Sequence, residues 1–333
     1  MTRQSLGIDN FTLALVATVS AATLLPARGA LAAAFEQATV FAVALLFFLH
    51  GAKLSAEAII AGATHWRLHL TVFAATFGLF PLLGLALKPL LAPLVTPELY
   101  LGVLYVCALP ATVQSAIAFT SIARGNIPAA ICSASASSIL GIFLTPLLVG
   151  VLLGTRSSAA GGDTLHAMWK IVEQLLLPFI AGQVARQWIG RWVDRNKGLL
   201  RFVDQGSILL VVYVAFSAAV LQGLWHQVPS LSLAGTLAVN AVLLALVLLA
   251  TRGAARLVGF SREDEITTVF CGSKKSLASG VPMAKVLFAG HSIGVILLPL
   301  MLFHQMQLMV CAVLARRYAA QRAPVTAAAR EPA

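Results

Sequence analysis

The sequence predicts an all-α integral membrane protein of ten transmembrane helices, and three observations carry that fold class. The 333 residues are 59% hydrophobic and only 11% charged, with a mean hydropathy of +0.90, far more apolar than a water-soluble domain. Asp, Glu, Lys and Arg are missing from long runs at 10–27, 37–52, 68–87, 99–123, 125–155, 205–251 and 286–315, and about 20 apolar helical residues cross a bilayer core of about 30 Å. A Gly/Ser-rich stretch, GTRSSAAGGDT at 154–164, divides the chain into two halves with five spans each.

Each span follows in order. The first run ends at Pro26 and Arg28 without a small-residue cleavage site, so it reads as a span and not as a signal peptide. The second closes on Lys53, the third lies between Arg67 and Lys88, the fourth contains Pro110 and stops at Arg124, and the fifth runs into the linker. EQLLLPFIAGQV (173–184), extended on both sides by amphipathic sequence, supplies the sixth. The 47-residue run 205–251 is too long for one helix, and WHQVPS (225–230) turns it into the seventh and eighth. The ninth, 264–288, contains Lys274 and Lys275, and the tenth stops at Arg316. Such continuous runs exclude an outer-membrane barrel, whose segments are short and alternating. The expected organisation is one membrane domain: a first five-helix repeat at 1–153, a connecting loop at 154–164, a second, inverted repeat at 165–318 and a disordered cytoplasmic tail at 319–333.

Charge gives the orientation. A net charge of +11 suggests nucleic acid until its location is considered. In the ten-span reading sixteen basic residues fall on the side of the termini and five, Arg28, Lys88, Arg156, Lys170 and Lys285, on the other. The positive-inside rule then makes both termini cytoplasmic in a multi-pass protein of the cell inner membrane. Anionic lipid headgroups, and no nucleic acid, are the expected neighbours. The four cysteines all fall within spans and read as small hydrophobes. HExxH, GxSxG, Walker A and SxxK patterns are absent, so an enzyme is not expected.

An odd number of spans per half makes homologous halves inverted, which is a transporter architecture. GIFLTPLL (141–148) and GVILLPLM (294–301) share a Gly five residues before a Pro, and LLPA (24–27) pairs with LLPF (176–179). The fourth and ninth spans carry more weight. In the fourth, Pro110 precedes Thr112, Gln114 and Ser115, while the ninth reads CGSKKSLASGVP. Pro removes a backbone donor, and Gly and Ser weaken what remains of a helix. Unwound backbone at membrane depth is tolerated only against protein or a watery cavity, so paired broken helices point to a substrate or ion site.

On the stretches LPATVQSAIAFTSIARGN (109–126), ICSASASSILGIFLTPLL (131–148), FCGSKKSLASGVPMAKVLF (270–288) and FFLHGAKLS (47–55), the chain resembles the bile acid:sodium symporter superfamily, most closely its bacterial SBF-like branch. The resemblance implies a panel of spans one, two, six and seven facing a core of the other six, with the fourth and ninth helices unwound and crossing. It also implies secondary active transport of a small organic solute through alternating access; the central lysines, together with a weak family prior, make an organic anion the expected solute. In the symporters sodium binds beside the crossing through hydroxyls, amides, carbonyls and an acid. By position, the substrate or ion site takes in Thr112, Gln114 and Ser115 at the first break, Ser133, Ser135, Ser137 and Ser138 on the next helix, and Gly272, Ser273, Lys274, Lys275 and Ser276 at the second break. The symporters show a Glu and a Gln-Asn pair where this chain has two lysines, so the coupling ion is left between sodium and proton, with no other cofactor expected. A sodium symporter of the family's usual kind, or a channel or regulatory membrane protein, are the alternatives. A monomer suffices for this architecture.

The lysines stand out on physical grounds alone. Insertion scales charge about 2.5–3.5 kcal/mol for each buried Lys, and intramembrane charge is usually functional. The pair lies about nine residues beyond Glu265, roughly 14 Å along a helix, too deep to reach the interface easily. Adjacent helical residues point about 100° apart, so different partners are expected: one ammonium in a vacated cation site, the other facing the cavity. The serine row cannot share one face, and some of it packs only. His304, Gln305 and Gln307 read as interhelical hydrogen-bonders. His50, Lys53, His65, Trp66, Arg67 and His69 read as interfacial.

Overall fold

The computed structural model describes residues 10–53, 65–91, 94–152, 173, 176–223, 228–288 and 291–321, and no strand occurs among them. The 154–164 linker and residues 322–333 of the tail lie outside the described residues. Helix α1 (Asn10–Leu24) stops ahead of Pro26, as the restricted backbone before a proline requires. Then come α2 (Gly29–Lys53) and α3 (Trp66–Ala86), the latter interrupted by a π-helical turn at Ala75–Leu79. α4 (Pro97–Ala108) opens with Pro97 in its first turn and with the Thr96 hydroxyl accepting from the Leu99 N–H at 3.4 Å.

After α5 (Gln114–Ile122), Arg124 takes the left-handed φ of 61°. This lets the Gly125 N–H reach back to the Thr120 carbonyl at 2.8 Å and close the helix end. Asn126 then caps α6 (Ile127–Leu152) through the Ala129 N–H. α7 (Leu177–Arg195), α8 (Lys197–Leu221) and α9 (Ser230–Leu257) follow. α10 (Arg262–Gly272) begins at the Ser261 cap with Glu263, Asp264 and Glu265 in its first turn, where the helix dipole favours acids. α11 (Leu277–Leu287) and α12 (Ile293–Ala320) complete the fold.

Among the described residues six helices, α2, α3, α6, α8, α9 and α12, are long and apolar enough to cross a membrane singly. Their outward faces expose large apolar residues such as Phe41, Leu231 and Leu249; water would penalise that surface and lipid does not. The chain is therefore a multi-pass membrane protein. The stretches 97–122 and 262–287 are each two short helices separated by non-helical residues, 109–113 and 273–276.

α2 lies along α7 and α8, and α1 along α8; α12 packs on α4, α9 and α11, and α10 on α5, α6 and α9, while α8 joins these two sets by packing on α11 and α12 as well. Glycines bring α2 and α7 together reciprocally. A Cβ at Gly51 would fall 2.0 Å from the Phe179 carbonyl oxygen, and one at Gly182 would fall 1.9 Å from that of Phe48. The Gly/Pro pattern shared by the two halves has unlike surroundings: Gly141 abuts Pro110 of the first break, whereas Gly294 abuts Ala219 of α8.

Candidate functional site

The two breaks meet. Leu109, held extended before Pro110, ends α4, and the Pro110 carbonyl accepts from the Ser276 N–H of the second break at 2.9 Å. The unwound backbone is then satisfied group by group, as burial demands. The Ala111 N–H donates to the Ser137 hydroxyl at 3.0 Å, and Thr145 donates to the Ala108 carbonyl at 2.9 Å. Gln307 of α12 grips the backbone of Lys275 from both sides, accepting from its N–H and donating to its carbonyl, each at 2.8 Å. Among the expected interhelical hydrogen-bonders, Gln307 thus holds the second break itself.

Lys274 and Lys275 are both fully buried and have different partners. The Lys275 ammonium donates to three carbonyls, Thr76 at 2.8 Å, Cys107 at 2.9 Å and Leu109 at 2.6 Å, with its nitrogen 4.1 Å from the centre of the Phe80 ring. The end of α4 supplies two of these acceptors. The third exists because of the π turn, in which the Phe80 N–H bonds five residues back to the Ala75 carbonyl. The next donor in that register is residue 81, a proline without an N–H, which leaves the Thr76 carbonyl for the ammonium. Lys274 donates to the Ser115 carbonyl at 2.9 Å and lies over the Phe119 ring at 3.8 Å, with Phe270 at 5.8 Å; such faces attract cations most when desolvated.

Beside the breaks lies a cavity of about 700 Å³. Its polar lining comprises Thr112, Gln114, Ser115, Ser135, Ser138 and Ser276 from the breaks, α5 and α6, and a charged set, His50 and Lys53 of α2 with Arg201 and Asp204 of α8. Phe11, Phe179, Ile139 and Leu277 give it apolar surface. Thr112 and Ser115 share a hydroxyl–hydroxyl bond. The serine row divides by helical face: Ser135 and Ser138 line the cavity, while Ser133 bonds to His69 Nδ1 at 2.6 Å and Ser137 holds the break. Gly272 and Ser273 are buried, with the Ser273 hydroxyl donating back to the Val269 carbonyl. Neither lysine of the pair is among the residues lining the cavity.

Sequence reasoning missed the charged set. His50 and Lys53, which read as interfacial, both line the cavity, and Lys53 pairs with Asp204, which is only 6% exposed. The signal was present: Asp204 stands at the edge of the charge-free run 205–251. His69 is buried and bonded to Ser133 of α6. Pro81 directly after Phe80, inside a span, was the readable sign of the carbonyl offered to Lys275. The acids of α10 stay outside this site: Glu265 pairs with Arg252 and Arg256, and Asp264 accepts from Asn126.

Residues 9–320 match the model of the SBF-like CPA transporter family. An uncharacterised protein of Pseudomonas aeruginosa is 68% identical over 97% of this chain and 96% of its own length. YfeH of Escherichia coli, named as a proposed symporter, is 57% identical over 94% of both chains. Sodium/bile acid cotransporter 7 of Rattus norvegicus is 30% identical over 91% of this chain and 90% of its own.

Proposed function

The chain belongs to the SBF-like CPA transporter family, whose members are transporters and not enzymes, and from that premise we propose that it moves a small organic anion across the cell inner membrane by alternating access. In this reading the polypeptide crosses ten times as two inverted five-helix repeats, with α4–α5 and α10–α11 as the broken spans and both termini cytoplasmic. The substrate enters the 700 Å³ cavity, with Thr112, Gln114, Ser115, Ser135, Ser138 and Ser276 as its polar contacts. Two cations, Lys53 and Arg201, line the cavity against one carboxylate, Asp204. That balance favours an anion, and the phenylalanine and aliphatic lining favours an apolar body behind its charge.

A family with named sodium cotransporters implies a coupling ion, and the observation that carries the reading for this chain is the cage around Lys275. Three carbonyl oxygens within 2.9 Å are what a bound cation needs, and a tethered ammonium already fills the place. A second unit charge at 4 Å would be repelled by roughly 4 kcal/mol at an effective dielectric of 20, about a thousandfold in affinity. Transport is therefore independent of sodium, with a proton as the coupling ion or none.

Uptake of bile acids and other organic anions into proteoliposomes, with sodium replaced by potassium and with the pH gradient varied, tests this. Saturable uptake unchanged by the replacement is the expected result. Gln114→Ala should reduce it several-fold while leaving the melting temperature nearly intact. Sodium-stimulated uptake by the unmodified protein would sink the coupling reading.

A further inference from the structure

The Lys53–Asp204 pair is unlike the other ion pairs among the described residues, because it sits in the cavity lining and one half of it is buried. Asp204 Oδ2 takes the Lys53 ammonium, while Oδ1 is buried with no hydrogen-bond partner. The Lys53 side chain keeps 28% of its surface exposed and ends a flexible four-carbon stem, so it can be reached and drawn away. We propose that this pair exchanges a proton for the substrate's charge: the anionic group of the substrate takes Lys53, and Asp204, left without its ammonium, takes up a proton from the side to which the cavity is open. The proposal rests on the organic-anion reading above and assigns that anion its partner and its coupling residue.

The physical reason is the cost of an isolated buried carboxylate, which is so high that such a group neutralises instead. The exchange balances. Before it, the ammonium faces the carboxylate; after it, the ammonium faces the substrate anion and Asp204 carries an O–H. One anion and one proton have entered, the net charge of the wall is unchanged, and no other bond has formed or broken.

The surroundings suit the exchange. From α2, His50 lies one turn before Lys53, and its Nδ1 donates to the Leu46 carbonyl, which leaves Nε2 as the protonatable atom of the neutral ring. From α8 itself, Arg201 lies one turn before Asp204 and adds a second cation for the anion. From α12, His304 lines the cavity. Arg186 of α7 is engaged with the Ala52 carbonyl and Asp194. From α11 the only charge is Lys285, paired with Glu36, which lies roughly 25 Å along α2 from Lys53. Helix α1 contributes no charged residue.

Infrared difference spectroscopy on the full-length purified protein tests this first without substrate. Lys53→Gln mimics departure of the ammonium, so at neutral pH it should show a protonated-carboxyl C=O band, absent from the unmodified protein and from Lys53→Gln/Asp204→Asn. An ionised Asp204 in Lys53→Gln would overturn the proposal. With taurocholate as the probe, the unmodified protein should gain the same band. Its uptake into proteoliposomes should then carry protons detected by an enclosed pH dye, and Lys53→Gln should weaken taurocholate binding on the order of tenfold or more. Asp204→Asn should abolish the proton movement that accompanies each taurocholate taken up. Should Lys53→Gln fail to fold, the taurocholate difference spectrum, with Asp204→Asn as its control, decides alone. Proton-free transport by the unmodified protein ends the proposal and leaves the organic-anion reading standing. The band in Lys53→Gln with no organic anion bound by the unmodified protein ends that reading and leaves Asp204 as a proton site.

Discussion

Two neighbouring lysines of the same burial do different work, and their partners say why. Lys275 satisfies three carbonyls that the chain's own helices leave open, so replacing it by Met strands acceptors worth about 1–3 kcal/mol apiece when unpaired. Lys274 reaches one carbonyl, that of Ser115 inside α5, where the helix ladder already provides a donor, and its remaining contacts are the Phe119 and Phe270 faces. A thioether sits well against aromatic rings. The expected outcome in thermal unfolding in detergent is a loss of about 3 kcal/mol or more for Lys275→Met and a distinctly smaller loss for Lys274→Met. Equal losses would show that the carbonyl cage contributes nothing specific.

At the scale of elements, the contact between α2 and α7 depends on two glycines that face each other's backbone. Because the atoms a new Cβ would meet are carbonyl oxygens of Phe179 and Phe48, no side chain can swing aside, and the helices themselves must separate. Gly182→Ala should therefore cost roughly 1–3 kcal/mol, the usual penalty of overpacking, and the same holds for Gly51→Ala. The measurement is the melting temperature of each variant; an unchanged value would mean that the helices part freely. The same helices carry His50, Lys53 and Phe179 into the cavity, so a loosened pair should also weaken substrate binding. The π turn of α3 is an element-scale device of another kind, since Pro81 removes a donor in α3 and the beneficiary is Lys275 in the break between α10 and α11.

For the whole molecule, the two halves and the charge distribution make a topological statement that chemistry can check. Single cysteines at Ser157 and at Ser261 should be labelled from opposite sides of the membrane, Ser261 from the cytoplasm. The four native cysteines are buried, which keeps background reaction low. Labelling of both positions from one side would overturn the proposed inverted ten-span topology.

Composition and charge spacing alone made this an all-helical, multi-pass membrane protein, because the bilayer sets the length of each apolar run and water sets where charges fall. Pro110 and the Gly272–Ser273 step marked both interruptions, since missing donors and weak helix formers act locally. What the sequence could not decide was who satisfies whom. The Thr76, Cys107 and Leu109 carbonyls around Lys275, Gln307 on its backbone and Asp204 beside Lys53 all lie far in sequence from the lysine they serve. The expectation that one lysine would face the cavity came from their angular separation, whereas both are enclosed by packing. Partners far apart in sequence are chosen by how the helices pack, and hydrophobic periodicity fixes which residues are buried without fixing what they are buried against.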